Sequence, residues 1–362
     1  MTEGVQRAGA LDILYVPVSG PKGSGEAQAA LLLARAMAAA NPNLKQLLLL
    51  SKHSALAGQT AVDAILLADS PARSNHAVVA LIERMRPRVV VFDTSSRRAQ
   101  LKAAKAVHAK TVFVCWRAKS RRRALALLKL NLWDEFWLLI PPNLDENFGL
   151  WERLKLRLLA PFTPLILGAL ADDADVAAAR ALLPVAMSRF VFLTPSGQYA
   201  VEHFRAIADA LIARGASVVL SVSAAPRESA HERLVELGRL PNATLLGLLE
   251  LSERSLINGG SLLLQAAALG IKPLAMPLVR DQHARVAAMA KLDLCIPATQ
   301  ASSPEKQSAS VLAQPLADRQ QQRAMAAAAG IQNGLRPALE RLQRLLQQQS
   351  GNTSPNRQSP RS

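Results

Sequence analysis

Short apolar runs alternate with longer segments of helical periodicity along most of this chain. An apolar run at residues 11–18 precedes a predicted helix at 26–40. A predicted buried strand at 88–93 precedes a predicted helix at 97–108. Parallel strands need a crossover connection, usually a helix, so this alternation is typical of parallel βαβ units. The pattern predicts an α/β protein.

The alternation stops and then restarts, which predicts two domains. The 362 residues suit two domains, and prolines and the acidic run 172–175 interrupt the pattern between them. We expect two Rossmann-like domains that face each other across a cleft. The predicted divisions are 1–165, 166–346 and a disordered polar tail at 347–362.

Two secondary-structure elements are predicted in the second half, between residues 230 and 246. Residues 230–238 are predicted to be a helix and residues 243–246 a strand. On that reading, residues 247–256 leave little room for a further loop and helix before the glycine pair that follows.

The amino-acid composition limits the partners and the cellular location that we expect for this protein. Lys and Arg number 43 against 27 for Asp and Glu, a formal net charge of +16, which favours anionic partners. No RNA-binding signature, metal-ligand spacing or paired cysteine pattern is present, so we expect neither nucleic acid nor a bound metal. No signal peptide and no apolar run of about 18 residues is found, which predicts a cytoplasmic protein with peripheral membrane contact at most.

The stretch 258–273 is the most informative motif. Gly259 and Gly260 open an apolar helix that stops at Gly270, and Asp281-Gln282 follows the next short strand. Backbone N–H groups at such a helix start, with the partial positive charge of the helix, favour a phosphate group. We therefore interpret the stretch as a nucleotide-sugar pocket.

A second glycine-rich turn follows the first strand. It matches neither a P-loop nor a dinucleotide fingerprint, and one interpretation is that its glycines only turn the chain. Glu26 is the candidate general base, although a carboxylate there also complements the helix N-terminus. The candidate acceptor-binding residues are Ser19, Gly20, Lys22, Gly23 and Gly25.

With these motifs the chain resembles GT-B glycosyltransferases. It is most similar to the group of the muramyl-pentapeptide N-acetylglucosaminyltransferase and the UDP-sugar hydrolase of pseudaminic acid synthesis. Glu26 stands where the hydrolase-like members have a His, and Gln265 stands where the group has a Glu. The residues that the resemblance implies for donor binding are Ser196, Gly197, Gly259, Gly260, Ser261, Gln265, Asp281 and Gln282.

The resemblance also implies a role for each of these residues. Gly260 and Ser261 face the diphosphate, Gln265 lies near the ribose, and Asp281 and Gln282 lie near the donor sugar. Ser196 and Gly197 approach the donor phosphates, although a serine there is also an ordinary helix N-cap.

Two basic, leucine-rich segments, 117–133 and 151–159, each contain a tryptophan. They suit an anionic membrane surface, or else they are solvated faces beside an ordinary core.

The function that these features predict is transfer of a sugar, with inversion and without a cofactor, from a nucleotide-diphosphate sugar to a membrane-linked or cell-envelope polysaccharide acceptor. The alternatives are a nucleotide-sugar hydrolase or epimerase, and a non-catalytic scaffold subunit with the same fold. The expected location is the inner face of the cell membrane.

Overall fold

The computed structural model describes residues 11–20, 25–54, 56–58, 62–144, 147–195, 200–222, 225–227 and 231–351. The chain divides into two compact units. The first comprises the described parts of Met1–Leu138, Phe148–Leu165 and Leu335–Ser362, and the second those of Leu139–Asn147 and Ile166–Gly334.

The first unit is built on a parallel sheet with strand order β3-β2-β1-β4-β5-β6-β7. The order reverses between β1 and β4, which pair in parallel from Ile13 with Val89 to Pro17 with Asp93. Nearly every residue of the central strands is buried, as expected when helices cover both faces of a parallel sheet. The strands are β1 Ile13–Pro17, β2 Gln46–Ser51, β3 Ala64–Leu67, β4 Val89–Asp93, β5 Lys110–Cys115, β6 Glu135–Leu138 and β7 Leu165–Ile166.

Helices accompany this sheet in the described part of the first unit. The long crossovers have ordinary amphipathic character: Val78 and Ile82, for example, lie one turn apart and are both buried. The helices are α1 Gly25–Ala40, α2 Asn75–Met85, α3 Arg98–Ala106, α4 Ala118–Ala124, α5 Leu127–Leu130 and α6 Leu150–Leu158. Residues 118–130 thus form two short helices rather than one.

The second unit repeats the plan with strand order β10-β9-β8-β11-β12-β13. Its order reverses between β8 and β11. The strands are β8 Val191–Thr194, β9 Val218–Ser221, β10 Leu234–Leu237, β11 Arg254–Asn258, β12 Leu274–Met276 and β13 Ile296–Pro297. Both halves are therefore Rossmann-like, as predicted.

The helices of the second unit include the two that border its motif. They are α7 Val176–Ala181, α8 Val201–Ile212, α9 Asn242–Leu251, α10 Ser261–Ala268, α11 Arg280–Lys291, α12 Pro304–Leu312 and α13 Arg319–Ala328, with a short 3₁₀ turn at Pro142–Leu144.

Two predicted elements of the second half are wrong. Residues 234–237 form strand β10 rather than a helix, and residues 243–246 lie inside helix α9 rather than in a strand. The strand is only half buried, which weakens its apolar pattern, and the helix is apolar on nearly all sides, which mimics a buried strand. The helix before the glycine pair is therefore present, and the segment is not short.

The last helix, α14 Leu335–Gly351, belongs with the first unit. Leu342, Leu345 and Leu346 are buried there, and the guanidinium of Arg341 lies 3.2 Å from a carboxylate oxygen of Glu135. The predicted C-terminal domain ran to residue 346 and the predicted tail began at 347. The helix itself continues to Gly351.

No helix within the described part of the chain is both long and apolar enough to cross a membrane.

Candidate functional site

The reversal of strand order in the second sheet places β8 beside β11, and their carboxyl ends define the candidate site. Ligands of doubly wound sheets bind at such switch points. The first of these strands ends at Thr194, and the second ends at Asn258, directly before Gly259 and Gly260. The predicted motif therefore lies where this topology places a ligand.

Close packing explains why two glycines precede α10. A Cβ atom on Gly259 would lie 2.6 Å from Cγ2 of Val286 and 3.0 Å from Cβ of Gln282, both on α11. A Cβ atom on Gly260 would collide with Oδ1 of Asn258. Only glycine lets the chain enter the helix this close to its neighbours.

The start of α10 leaves its first amides available for a ligand. The backbone N–H of Gly260 donates to Oδ1 of Asn258 at 2.6 Å, which fixes the turn. Gly260 is the N-cap residue and provides no side-chain cap to the following amides. The first-turn N–H groups have no intrahelical acceptor, so this helix start is suited to an anion.

A cavity of about 170 Å³ opens at this helix start. Its size suits a pyrophosphate and part of an adjoining group rather than a complete drug-sized ligand, which occupies about 300 Å³ or more. Arg239 supplies a positive charge, and two leucines supply an apolar wall. The lining residues are Thr194, Pro195, Ser221, Val222, Arg239, Leu240, Leu245, Asn258, Ser261 and Leu262.

Sequence reasoning missed Arg239 because it assigned the preceding strand as a helix. With β10 ending at Leu237, residue 239 falls just beyond the carboxyl end of a strand. Once that strand is recognised, a basic residue at this place is a signal for an anionic ligand.

Gln265 is buried, and both ends of its amide are engaged. Its Oε1 accepts a hydrogen bond from Nδ2 of Asn242 at 3.2 Å, and its Nε2 donates to the carbonyl of Leu170 at 2.6 Å. It is not among the residues that line the cavity. Its contact with a ribose stays a prediction. For that contact to form, Gln265 would have to give up its hydrogen bonds to Asn242 and Leu170.

Gln282 and Arg285 support the glycine pair from α11. Oε1 of Gln282 accepts the backbone N–H of Leu278 at 2.7 Å, and Nη1 of Arg285 donates to the carbonyl of Gly259 at 2.9 Å. Asp281 lies on the same helix, and its side chain is outside the described part of the structure. The predicted contacts of Asp281 and Gln282 with a sugar stay predictions.

The remaining predicted donor residues, Ser196 and Gly197, lie outside the described residues, as do Lys22 and Gly23 of the first turn. Of the predicted donor residues, Ser261 lines the cavity, Gly259 and Gly260 directly precede it, and Gln282 lies close to Gly259.

In the first unit, Ser19 holds the turn after β1. Its Oγ accepts the backbone N–H of Ser51 at 2.8 Å, and its own N–H donates to Oγ of Ser70 at 3.2 Å. The side chain is buried, so its observed role is structural. A Cβ atom at Gly20 would meet open space, so packing does not require a glycine there. Gly25 is the first residue of α1.

Glu26 lies in the first turn of α1, and its side chain is 17% exposed. One of its oxygens lies 3.7 Å from Nη2 of Arg117, which follows β5. The carboxylate is therefore partly shielded and partly neutralised, yet still accessible from solvent.

Asp93, the last residue of β4, is a second carboxyl group in this region. Its burial, and next the negative charge of Glu26, raise its pKa well above the ordinary range of an aspartate. The Thr94 hydroxyl donates to Oδ1 at 2.9 Å and opposes this shift. The indole of Trp116 also lowers the pKa of Asp93. Its buried Nε1 nevertheless has no partner within hydrogen-bonding geometry among the described residues.

The backbone beside Asp93 is strained. Thr94 has a φ of 64°, a left-handed conformation that a β-branched residue rarely adopts. Such strain is concentrated at functional sites. Sequence reasoning noted Asp93 only as a strand end, because neither its burial nor its neighbours can be read from the chain.

Among the described residues, no three or more His, Cys, Asp or Glu side chains form a group that could hold a metal ion. The candidate site of the second unit thus consists of a helix start and an arginine, and the first unit separately carries two neighbouring carboxyl groups.

Comparison with known proteins identifies the fold. No protein-family model and no curated protein matches the chain. Solved structures do match along nearly its whole length. UGT89C1 of Arabidopsis thaliana, complexed with UDP, is 14% identical with a TM-score of 0.64, over 92% of this chain and 99% of that one.

Two further structures extend this likeness. MurG of Acinetobacter baumannii is 11% identical with a TM-score of 0.59, over 93% of this chain and 100% of that one. A proposed UDP-N-acetylglucosamine 2-epimerase of Listeria monocytogenes is 13% identical with a TM-score of 0.56, over 96% and 98%. The chain has the GT-B fold.

Proposed function

We propose that this protein is a nucleotide-sugar-dependent glycosyltransferase. In this proposal the second unit holds the donor and the first unit presents the acceptor. The donor is a nucleotide-diphosphate sugar, and the acceptor is membrane-linked or part of a cell-envelope polysaccharide. The protein works at the inner face of the cell membrane and needs no cofactor.

The observation that carries the proposal is the uncapped start of α10 at the switch point of the second sheet. Ser261 and Leu262, the first two residues of α10, and Arg239 line one cavity. Backbone donors and a fixed positive charge stabilise a leaving diphosphate without a metal ion. Leu240 and Leu245 give the same cavity an apolar wall against which a flat base can pack.

The proposed reaction is an inverting displacement. Glu26 accepts the proton of the acceptor hydroxyl as its oxygen attacks the anomeric carbon. The bond from that carbon to the diphosphate oxygen breaks, and its electron pair leaves with the diphosphate. Burial, and next the negative charge of Glu26, raise the pKa of Asp93, so Asp93 retains its proton to a higher pH than an ordinary aspartate.

Calorimetry with UDP, GDP and their sugars tests the donor site. Arg239→Ala should weaken nucleoside-diphosphate binding about 10- to 100-fold, the range for loss of a charge-assisted contact. Arg214→Ala is the matched control, since Arg214 is exposed just after α8 and does not line the cavity. Absence of binding to any nucleotide at millimolar concentration would refute the proposal.

One observation favours a second candidate, a non-catalytic scaffold with the same fold. Gln265 is committed to Asn242 and Leu170 rather than to the cavity, where the proposed enzyme would use it for the ribose. A scaffold keeps its cellular role after Asp281→Ala, whereas a transferase loses activity. Product analysis separates the third candidate, a hydrolase or epimerase, since neither needs an acceptor.

A further inference from the structure

Helix α6 is inverted relative to the usual arrangement of a surface helix. Its charged residue Glu152 is buried, with only 7% of its surface exposed. Its apolar residues point outward: Leu150 is 82% exposed and Trp151 75%, and Leu154 and Leu158 are exposed as well. Large apolar side chains clustered on one face in this way mark an interaction surface.

A buried ion pair determines this orientation. Nε of Arg121 on α4 lies 3.1 Å from Oε1 of Glu152, and its Nη2 lies 3.3 Å from Oε2. The same guanidinium stacks 4.4 Å above the ring of Phe148, and Glu152 also accepts the N–H of Gly149 at 2.9 Å. Rotating the apolar face of α6 inward would leave Arg121 buried without its partner, which is strongly unfavourable.

A second tie joins α6 to the neighbouring short helices. Nζ of Lys155 donates to the carbonyl of Leu125 at 2.9 Å, between α4 and α5. Leu127 and Leu128 of α5 are themselves exposed. We call the exposed side chains of α4, α5 and α6 the α4–α6 face.

The charge on this face has one sign. The described residues 117–133 and 147–160 contain a single carboxylate, Glu152, and it is buried. The exposed cations of these two segments are Lys119, Arg122, Arg123, Arg153 and Arg157. Arg117 is exposed as well but lies beside Glu26 and is not counted with them.

We infer that the α4–α6 face docks onto an anionic lipid bilayer, with Trp151 and the leucines of α6 entering the interfacial layer. An apolar helix face with tryptophan, rimmed by Arg and Lys, is the pattern of helices that lie in the plane of a membrane interface. Its cations gain from anionic headgroups. A second copy of this chain is disfavoured as occupant because two such faces repel one another. The inference concerns the first unit alone and does not depend on the donor chemistry.

Vesicle sedimentation with the full chain tests it. We expect binding to vesicles that contain about one third phosphatidylglycerol, weak binding to pure phosphatidylcholine, and release as salt increases. Trp151→Ser with Leu158→Ser should lower the partition coefficient at least ~10-fold, since both side chains would lose apolar burial. The matched control, Val185→Ser with Leu316→Ser, removes exposed apolar side chains of the second unit and should leave binding unchanged.

A charge variant gives an independent readout. Arg153→Glu with Arg157→Glu removes two positive charges and adds two negative ones. Because each unit of charge changes lipid affinity about fivefold, binding should weaken by more than ~10-fold. Arg214→Glu with Arg336→Glu is the control. The inference is overturned by equal binding to neutral and anionic vesicles, by no binding, or by apolar variants that bind like wild type. It is also overturned if the lipid-free chain is a dimer that Trp151→Ser with Leu158→Ser converts to monomer. Nucleotide affinity, measured on the same samples, separates this failure from failure of the donor site.

Discussion

The switch points of the two sheets have the same topology and opposite chemistry. In the second unit the strand ends lead to a glycine pair, free helix amides and Arg239, all suited to an anion. In the first unit the strand ends lead to Glu26 and Asp93, which are acidic and partly buried. The same chain geometry thus provides one region with groups suited to an anion and another with two neighbouring carboxyl groups. The chemistry comes from a few residues that follow the strands rather than from the fold itself.

Glu26→Gln is the substitution for which we expect the largest effect, and it should affect the first region without affecting the second. The amide keeps the shape of the carboxylate and removes its basicity, so kcat for transfer should fall at least ~100-fold, the lower range for general base catalysis. Nucleoside-diphosphate affinity should be unchanged, because every described residue that lines the cavity belongs to the second unit. Steady-state kinetics and calorimetry measure the two effects.

Equal loss of kcat and nucleotide affinity in that variant would contradict separate roles. A kcat close to that of wild type would remove Glu26 as the base.

A pair of glycine substitutions compares the packing of the two regions. Gly259→Ala places a methyl group against Val286 and Gln282 and should cost about 1–3 kcal/mol in the free energy of unfolding. It should also weaken nucleotide binding, since the start of α10 must shift. Gly20→Ala meets open space and should change stability by less than about 0.5 kcal/mol.

Denaturant titration monitored by circular dichroism gives both values. If the two substitutions cost the same, close packing does not determine the glycine pair.

The smallest expected effect is in the pH dependence of stability. The pKa of Asp93 is raised in the folded state, so the folded chain binds more protons than the unfolded chain between the two pKa values. Stability therefore falls as pH rises from about 4, the ordinary aspartate pKa, through the raised value. Asp93→Asn should remove this decline and be more stable than wild type above the raised pKa.

Urea midpoints from pH 4 upward test this, with exposed Asp63→Asn as control. A wild-type midpoint that rises relative to Asp93→Asn over that range would show that the Asp93 pKa is not raised.

The sequence predicted the architecture well where the pattern was strong. Fully buried strands such as β1 and β4 and amphipathic helices such as α3 were found because their periodicity is local. Strand β10 and helix α9 were exchanged because one is half buried and the other apolar all round. That exchange concealed Arg239 and made the segment before the glycine pair look incomplete.

The candidate site divides in the same way. Gly259, Gly260 and Ser261 were predicted because glycines before an apolar helix are a local signal. The structure places Ser261 in the lining of the cavity and the two glycines directly before it, and their contact with a donor stays a prediction. The hydrogen bonds of Gln265 to Asn242 and Leu170 join residues 23 and 95 positions apart, which no local pattern reveals.

By itself the sequence determined the two successive βαβ arrays and the glycine entrance to α10, because periodicity and backbone freedom are properties of neighbouring residues. Only the tertiary structure decided that the pKa of Asp93 is raised, that Arg239 lines the cavity and that α6 turns Trp151 and three of its four leucines outward. Each of these depends on burial or on charges brought together from distant parts of the chain, and their free energies exist only once the chain is packed.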